Sequence, residues 1–405
     1  MKKILISSLI LAILQSMLFW HRQLGISVFI FVSLVIVLII AALIGYKKVN
    51  NKSGLLLVVP IIMLSSTYFI FDNTFFKVLN LLVIPTLILV MIILVTDEKE
   101  RIRSFFPKVF ALLFGGIELF EDVGKSLKGN EENTNTKKII KAILFAAPLV
   151  LIVIVLLSSA DSVFGSIFGN ITLNFFNENI VVNILRIFIT AVLFFYFAGF
   201  VLNIVKEQTM YATIDERTEE KPLKINRFNI NVTLTMLNFI YLIFCIIQFT
   251  FLFTNVATTE NFNYAEYARQ GFFQLMFVSA LNIIMIFIST INEGNQGSDN
   301  SEEKNKKYTK FMNVIMCVFT IIIIFSAFYR MNLYEAAFGY TYLRLFVYFI
   351  LTTELLLIIP TILYIVGVKI KLLRVYISIA VIMYLILNFI NIDAVIARKK
   401  YKQVF

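Results

Sequence analysis

"LGISVFIFVSLVIVLIIAALIG", residues 24–45, holds no charged side chain. At about 1.5 Å of rise per residue, a helix of this length crosses the roughly 30 Å hydrocarbon core of a bilayer. Lipid offers backbone groups no partner, and the apolar pattern does not alternate, so helix is the expected conformation. Similar runs recur along the chain. We read eleven spans, at 4–20, 24–45, 55–71, 78–95, 139–158, 180–205, 228–254, 271–292, 309–329, 343–366 and 372–391. Apolar residues make up 60% of the chain and the mean hydropathy is +0.88. A soluble domain is nearer half apolar. The predicted fold class is therefore all-α: a polytopic integral membrane protein with one additional interfacial amphipathic helix.

The net charge of +11 does not point to nucleic acid, because the basic residues fall in alternate loops. With the N-terminus inside, inner segments hold 26 of the 36 Lys and Arg. That excess follows the positive-inside rule and predicts a cytoplasmic N-terminus in a bacterial plasma membrane. The tail "ARKKYKQVF" (397–405) is the exception, since eleven spans put its four positive charges outside. The first span follows Lys2 and Lys3 without a small-residue cleavage site, and is read as an uncleaved helix. Cys245 and Cys317 lie inside spans, so no disulfide framework is expected.

The chain divides at its long inner segment. Residues 1–95 form four spans, 96–138 a cytoplasmic helix and linker, 139–398 seven spans, and 399–405 a short basic tail. Within the inner segment, 104–128 places Phe106, Phe110, Leu113, Ile117, Phe120 and Leu127 on one stripe, with Lys108, Glu118 and Lys125 opposite. This is the pattern of a helix lying in the membrane interface. The Gly115–Gly116 pair is expected to weaken or kink it. Residues 129–138 and 293–307 read as solvated linkers.

Several chemistries lack their residues. The single His21 sits beside a span end and reads as a polar anchor. No Cys/His cluster suits zinc, and no HExxH, Walker A loop or G-x-S-x-G elbow occurs. No cofactor and no metal are expected, and hydrolytic or ATP-driven chemistry has no support. The expected partners are the lipid bilayer and another membrane protein docked on the amphipathic helix. The oligomeric state is not readable.

Four stretches outside the apolar runs carry the chemistry: "LLSSADSVF" (156–164), "NYAEYARQGFFQL" (263–275), "FYRMNLYEAAFGYTYLRLFVYF" (328–349) and "NIDAVIAR" (391–398). The charge-derived topology puts all four on the outer face. They supply the candidate binding cluster Asp161, Tyr264, Glu266, Tyr267, Arg269, Arg330, Glu335, Arg344 and Asp393. Charges near hydrocarbon are costly and should find partners, and Arg binds carboxylate bidentately. Arg269 is expected to pair with Asp161, Glu335 or the local Glu266. As one helix, 263–282 would align Asn263, Glu266, Tyr267, Gln270, Gln274 and Asn282 on a stripe. The competing reading is that Tyr and Arg only anchor span ends.

Two further charges lie within spans. Arg186 is read as snorkelling outward. Glu354 is deeper, and reads either as a proton carrier or as a neutral carboxyl bonded near Thr352 and Thr353.

The four stretches together resemble a family of bacterial membrane proteins catalogued as domain of unknown function 4173, and related families. The likeness covers roughly 140–398. Ser159, Ala160, Asp161 and Phe164 follow its S-A-D-P-x-F pattern. Tyr264 to Phe272 follow Y-A-E-Y-A-R-x-G-F throughout. Gly339, Thr341 and Arg344 follow its third motif, and "NIDAVIAR" its fourth, with Ile392 in place of Pro. The resemblance implies that the motifs act as a unit and supplies no mechanism. The leading functional reading is a transport or sensing module with a charged, aromatic outer site. The alternatives are a membrane enzyme acting on a lipid-linked envelope substrate, and a regulatory partner of another membrane protein.

Overall fold

Apolar runs set where the helices lie, and polar side chains cap some of their starts. The structure, a computed structural model, describes residues 2–20, 22–97, 102–118, 178–206, 209, 211–214, 227–253, 271–291, 300–390 and 396. Among them, ten helices are long and apolar enough to cross a membrane. Each coincides with an expected span, and the eleventh, 139–158, lies outside the described residues. The protein is an all-α, multi-pass membrane protein. The chain forms two compact units, Met1–Arg217 and Thr218–Phe405.

The first unit contains α1 (Lys2–Phe19), α2 (Ile26–Gly45), α3 (Val58–Ile70), α4 (Thr74–Thr96), α5 (Ile102–Glu118) and α6 (Glu178–Val205). A 3-10 turn, Lys52–Leu57, precedes α3, and the Asn51 side chain caps it by accepting from the Ser53 amide. Asn73 caps α4 in the same way, accepting from Phe76. The packing order is α1 on α2, α2 on α3, α3 on α4, α4 on α5, α5 on α6 and α6 back on α1. Six helices thus close a ring. The four spans of 1–95 belong to this larger unit because α6 returns to pack on α1.

The amphipathic segment is α5. Its expected stripe is on the outside, with Phe106, Phe110, Leu113 and Ile117 exposed. The opposite face is not solvated as expected. It packs on α6, where Asn203 Nδ2 donates to the Ala111 carbonyl at 2.8 Å. The Gly115–Gly116 pair serves this packing. A Cβ on Gly199 would stand 2.2 Å from the Gly116 carbonyl oxygen, so only hydrogen fits between the two backbones. Lys108, expected on a solvated face, is buried. Its Nζ meets Asp97 Oδ2 at 2.8 Å, with the two side chains 4% and 6% exposed. The Tyr211 ring lies 5.9 Å from that ammonium, and its hydroxyl hydrogen-bonds Thr96.

The second unit contains α7 (Arg227–Phe253), α8 (Phe272–Ile291), α9 (Asn300–Phe338), α10 (Tyr342–Val366) and α11 (Leu372–Phe389). Helix α9 is central, packing on α7, α8 and α10, while α11 packs on α10. Its 39 residues span about 58 Å, far more than the hydrocarbon core. The excess corrects the expected linker 293–307, since residues 300–307 are the polar start of α9. Glu303 and Lys307 pair there at 2.9 Å, one turn apart.

Polar side chains tie these helices together through the apolar core. Tyr241 donates to Asn282 Oδ1 at 2.6 Å, and Asn282 Nδ2 donates to Thr320 at 3.1 Å. Ser289 donates to Asn313 at 2.8 Å, and Thr309 to Asn231 at 2.7 Å. Such bonds hold helix register where lipid and protein interior are equally apolar.

Candidate functional site at one end of the second unit

The turn between α9 and α10 is built by its own sequence. Gly339 follows α9 with φ +75, and its amide donates to the Glu335 carbonyl at 2.7 Å. Thr341 caps α10 by accepting from the Arg344 amide. The Arg344 side chain then folds back over the turn. Its Nη1 donates to the Gly339 carbonyl, and its guanidinium lies 4.2 Å from the Tyr334 ring centroid and 5.8 Å from that of Phe338. Stacking of this kind suits the planar guanidinium. Arg344 is only 8% exposed.

The start of α8 meets this turn. Gly271 has φ +109, a conformation open to glycine and strained for other residues. A Cβ there would fall 2.4 Å from Arg330 Nη1, so the absence of a side chain also makes room for the guanidinium. Phe272 stacks on Tyr334 with centroids 5.9 Å apart. Together Phe272, Phe273, Met331, Tyr334, Thr341, Leu343 and Arg344 line a cavity of about 230 Å³. Beside it, the Tyr348 hydroxyl donates to Asn332 and faces the Glu335 carboxylate.

The structure therefore brings the end of the second motif onto the third, joining Arg330, Glu335 and Arg344 of the expected cluster to one end of the second unit. Asp161, Tyr264, Glu266, Tyr267, Arg269 and Asp393 lie outside the described residues. The expected unbroken stripe over 263–282 is corrected. The positive φ of Gly271 ends any helix entering α8 from upstream, and Gln274 is exposed while Asn282 is buried. Sequence reasoning missed Tyr334, Phe272 and Thr341 as lining residues. The available signal was the Thr341–Arg344 capping spacing at a helix start.

About 15 Å further along α10 from Arg344 lies Glu354, 6% exposed. Thr352 and Thr353, its expected partners, instead bond carbonyls of their own helix, those of Tyr348 and Phe349. The partner is Ser279 of α8, whose Oγ is 2.5 Å from Glu354 Oε2. That hydroxyl also lies 2.9 Å from the Met276 carbonyl. A serine has one proton to donate. It goes to Glu354 when the carboxylate is charged. When the carboxyl is protonated, the acid donates to Ser279 and the serine turns to Met276. The pair satisfies its hydrogen bonds in either state.

Arg186, in the first unit, does not snorkel freely. Its Nε donates to Ser16 Oγ at 2.7 Å, and Nη2 donates to the Ser16 carbonyl at 3.4 Å.

Two units of apolar helices, one with a cationic and aromatic cavity at its end, define a multi-pass α-helical membrane protein. Residues 58–405 match the family described as a domain of unknown function, DUF4153, and the chain belongs to that family. The resemblance read from the motifs gave a different number, 4173, for a family of the same kind. The match also reaches back to include α3 and α4, which the motifs did not. No curated protein and no solved structure matches the chain.

Proposed function

We propose that this protein is a transport or sensing module of a bacterial plasma membrane, with its N-terminus cytoplasmic and its ligand a small anion held by Arg344 at the end of α8–α10. One observation carries this reading. Arg344 is nearly buried in the wall of a cavity, and among the described residues it has no carboxylate within ion-pair distance. A buried cation is costly unless something compensates it. Aromatic stacking compensates in part, and an anionic ligand would complete the site. Arg330 and Glu335 border it, and Arg269 and Asp161 of the neighbouring motifs are its proposed further members. Glu354 is the proposed proton carrier beneath it.

The test uses the full chain in nanodiscs. Short carboxylates and inorganic phosphate are titrated while the melting temperature is followed. At a hundredfold excess over Kd, a ligand stabilises by about 2.7 kcal/mol, several degrees in a melt. Arg344→Gln is expected to abolish that shift, each protein being compared with its own ligand-free melting temperature. Proteoliposome flux of the bound anion would mark a transporter, and binding without flux a sensor. If none of these anions stabilises the wild type more than Arg344→Gln, the reading fails.

The orientation rests on the charge split and has its own test. A single cysteine at position 300, in a background lacking Cys245 and Cys317, is expected to resist impermeant thiol reagent in intact cells. Labelling from outside would overturn it.

A further inference from the structure

The six helices of the first unit line a half-open cleft of about 490 Å³. All six helices contribute to its wall, including Val28 and Val35 of α2, Ile84 of α4, Leu113 of α5 and Phe200 of α6. The α2 wall alone, from Val28 to Ile39, covers about 16 Å, which makes the cavity a slot with a mean cross-section of about 30 Å². That width accepts one hydrocarbon chain, but not two abreast and not a fused ring system. The wall is almost wholly apolar. Apolar walls left unfilled forgo dispersion contacts, so an apolar occupant is favoured.

The lining also holds two amide side chains. They are Gln15 of α1 and Asn80 of α4, the latter donating to Thr67 at 3.0 Å. Ser16, the residue after Gln15, holds the Arg186 guanidinium. Among the described residues Arg186 has no acidic partner, and those two bonds to Ser16 are neutral. An intramembrane Arg calls for a counter-charge. Here the cation is held by the residue next to Gln15, a member of the slot's wall.

We propose that the first unit binds one anionic phospholipid, with an acyl chain in the α1–α6 slot and its phosphate beside Arg186. This site is separate from the Arg344 cavity and does not rest on the functional reading above.

The test is native mass spectrometry of the full chain released from mild detergent, with extraction and headgroup analysis of whatever co-purifies. One phospholipid per chain is expected, with anionic headgroups enriched about tenfold over the bulk membrane extract. Arg186→Gln keeps hydrogen-bonding capacity but loses the charge, and is expected to retain a lipid without headgroup preference. Arg186→Lys is expected to keep the preference, which separates loss of charge from loss of fold. Val35→Phe fills the slot and is expected to lower occupancy at least tenfold with an unchanged or higher melting temperature. Wild-type protein released without lipid would overturn the proposal. So would retained lipid of bulk headgroup composition, an isoprenoid phosphate in place of a phospholipid, or occupancy unaffected by Val35→Phe.

Discussion

Lys108→Ala is expected to destabilise the first unit by about 3–5 kcal/mol, because it removes one member of a buried ion pair. The pair is nearly inaccessible, with its nitrogen and oxygen 2.8 Å apart. It joins the C-terminal end of α4 to α5, and Tyr211, beyond the end of α6, covers it. Asp97→Ala should cost a similar amount by removing the other member. The double variant Asp97→Leu with Lys108→Met should recover most of the loss, since it removes both charges and keeps the volume. The measurement is reversible denaturant unfolding in micelles, arranged as a double-mutant cycle. Losses that simply add would show that the two side chains do not act as a pair.

Gly199→Val should be nearly as damaging. The obstacle to its Cβ is the Gly116 carbonyl oxygen at 2.2 Å, with the carbonyl carbon at 3.0 Å. Backbone cannot swing aside as a long side chain would, so α5 and α6 must separate. Overpacking typically costs about 1–3 kcal/mol, and a backbone obstacle puts this site at or above the upper end. The 2.8 Å bond from Asn203 to Ala111 should break with it. A disulfide cross-link between cysteines placed at 112 and 203, in a background lacking the native cysteines, would report the separation. Gly45→Ala is the control. Nothing lies within 4 Å of its Cβ, and alanine favours helix, so stability should be unchanged or slightly higher. An unaltered cross-linking yield in Gly199→Val would refute the close packing.

The two positions show where sequence reading stops. Lys108 sits opposite a Phe-rich stripe, and that pattern alone says solvated face. The stripe itself is exposed, at Phe106 and Phe110. The solvated-face reading fails because α6, about ninety residues downstream, supplies a protein surface there. Gly115–Gly116 reads as a weak point in a helix when seen alone. Only the presence of Gly199 turns it into a contact. At the candidate site, Gly339, Thr341 and Arg344 were legible as a motif, and the cap that Thr341 places on α10 could have been read too, because capping is local. The stacking of Arg344 on Tyr334 and the seat of Arg330 against Gly271 were not.

What the sequence by itself determined is the place of the described spans and the family-like motifs between them. These follow from hydropathy and capping, which depend on single residues and near neighbours. Tertiary structure alone decided which helices meet: the ring of α1–α6, the pairing of Ser279 with Glu354, and the burial of Asp97 with Lys108. The physical reason is the solvent. In water, an apolar stripe marks the face that packs. In a bilayer, the lipid-facing and protein-facing sides of a span are equally apolar, so helix neighbours are chosen by small residues and scattered polar groups whose partners lie far away in the chain.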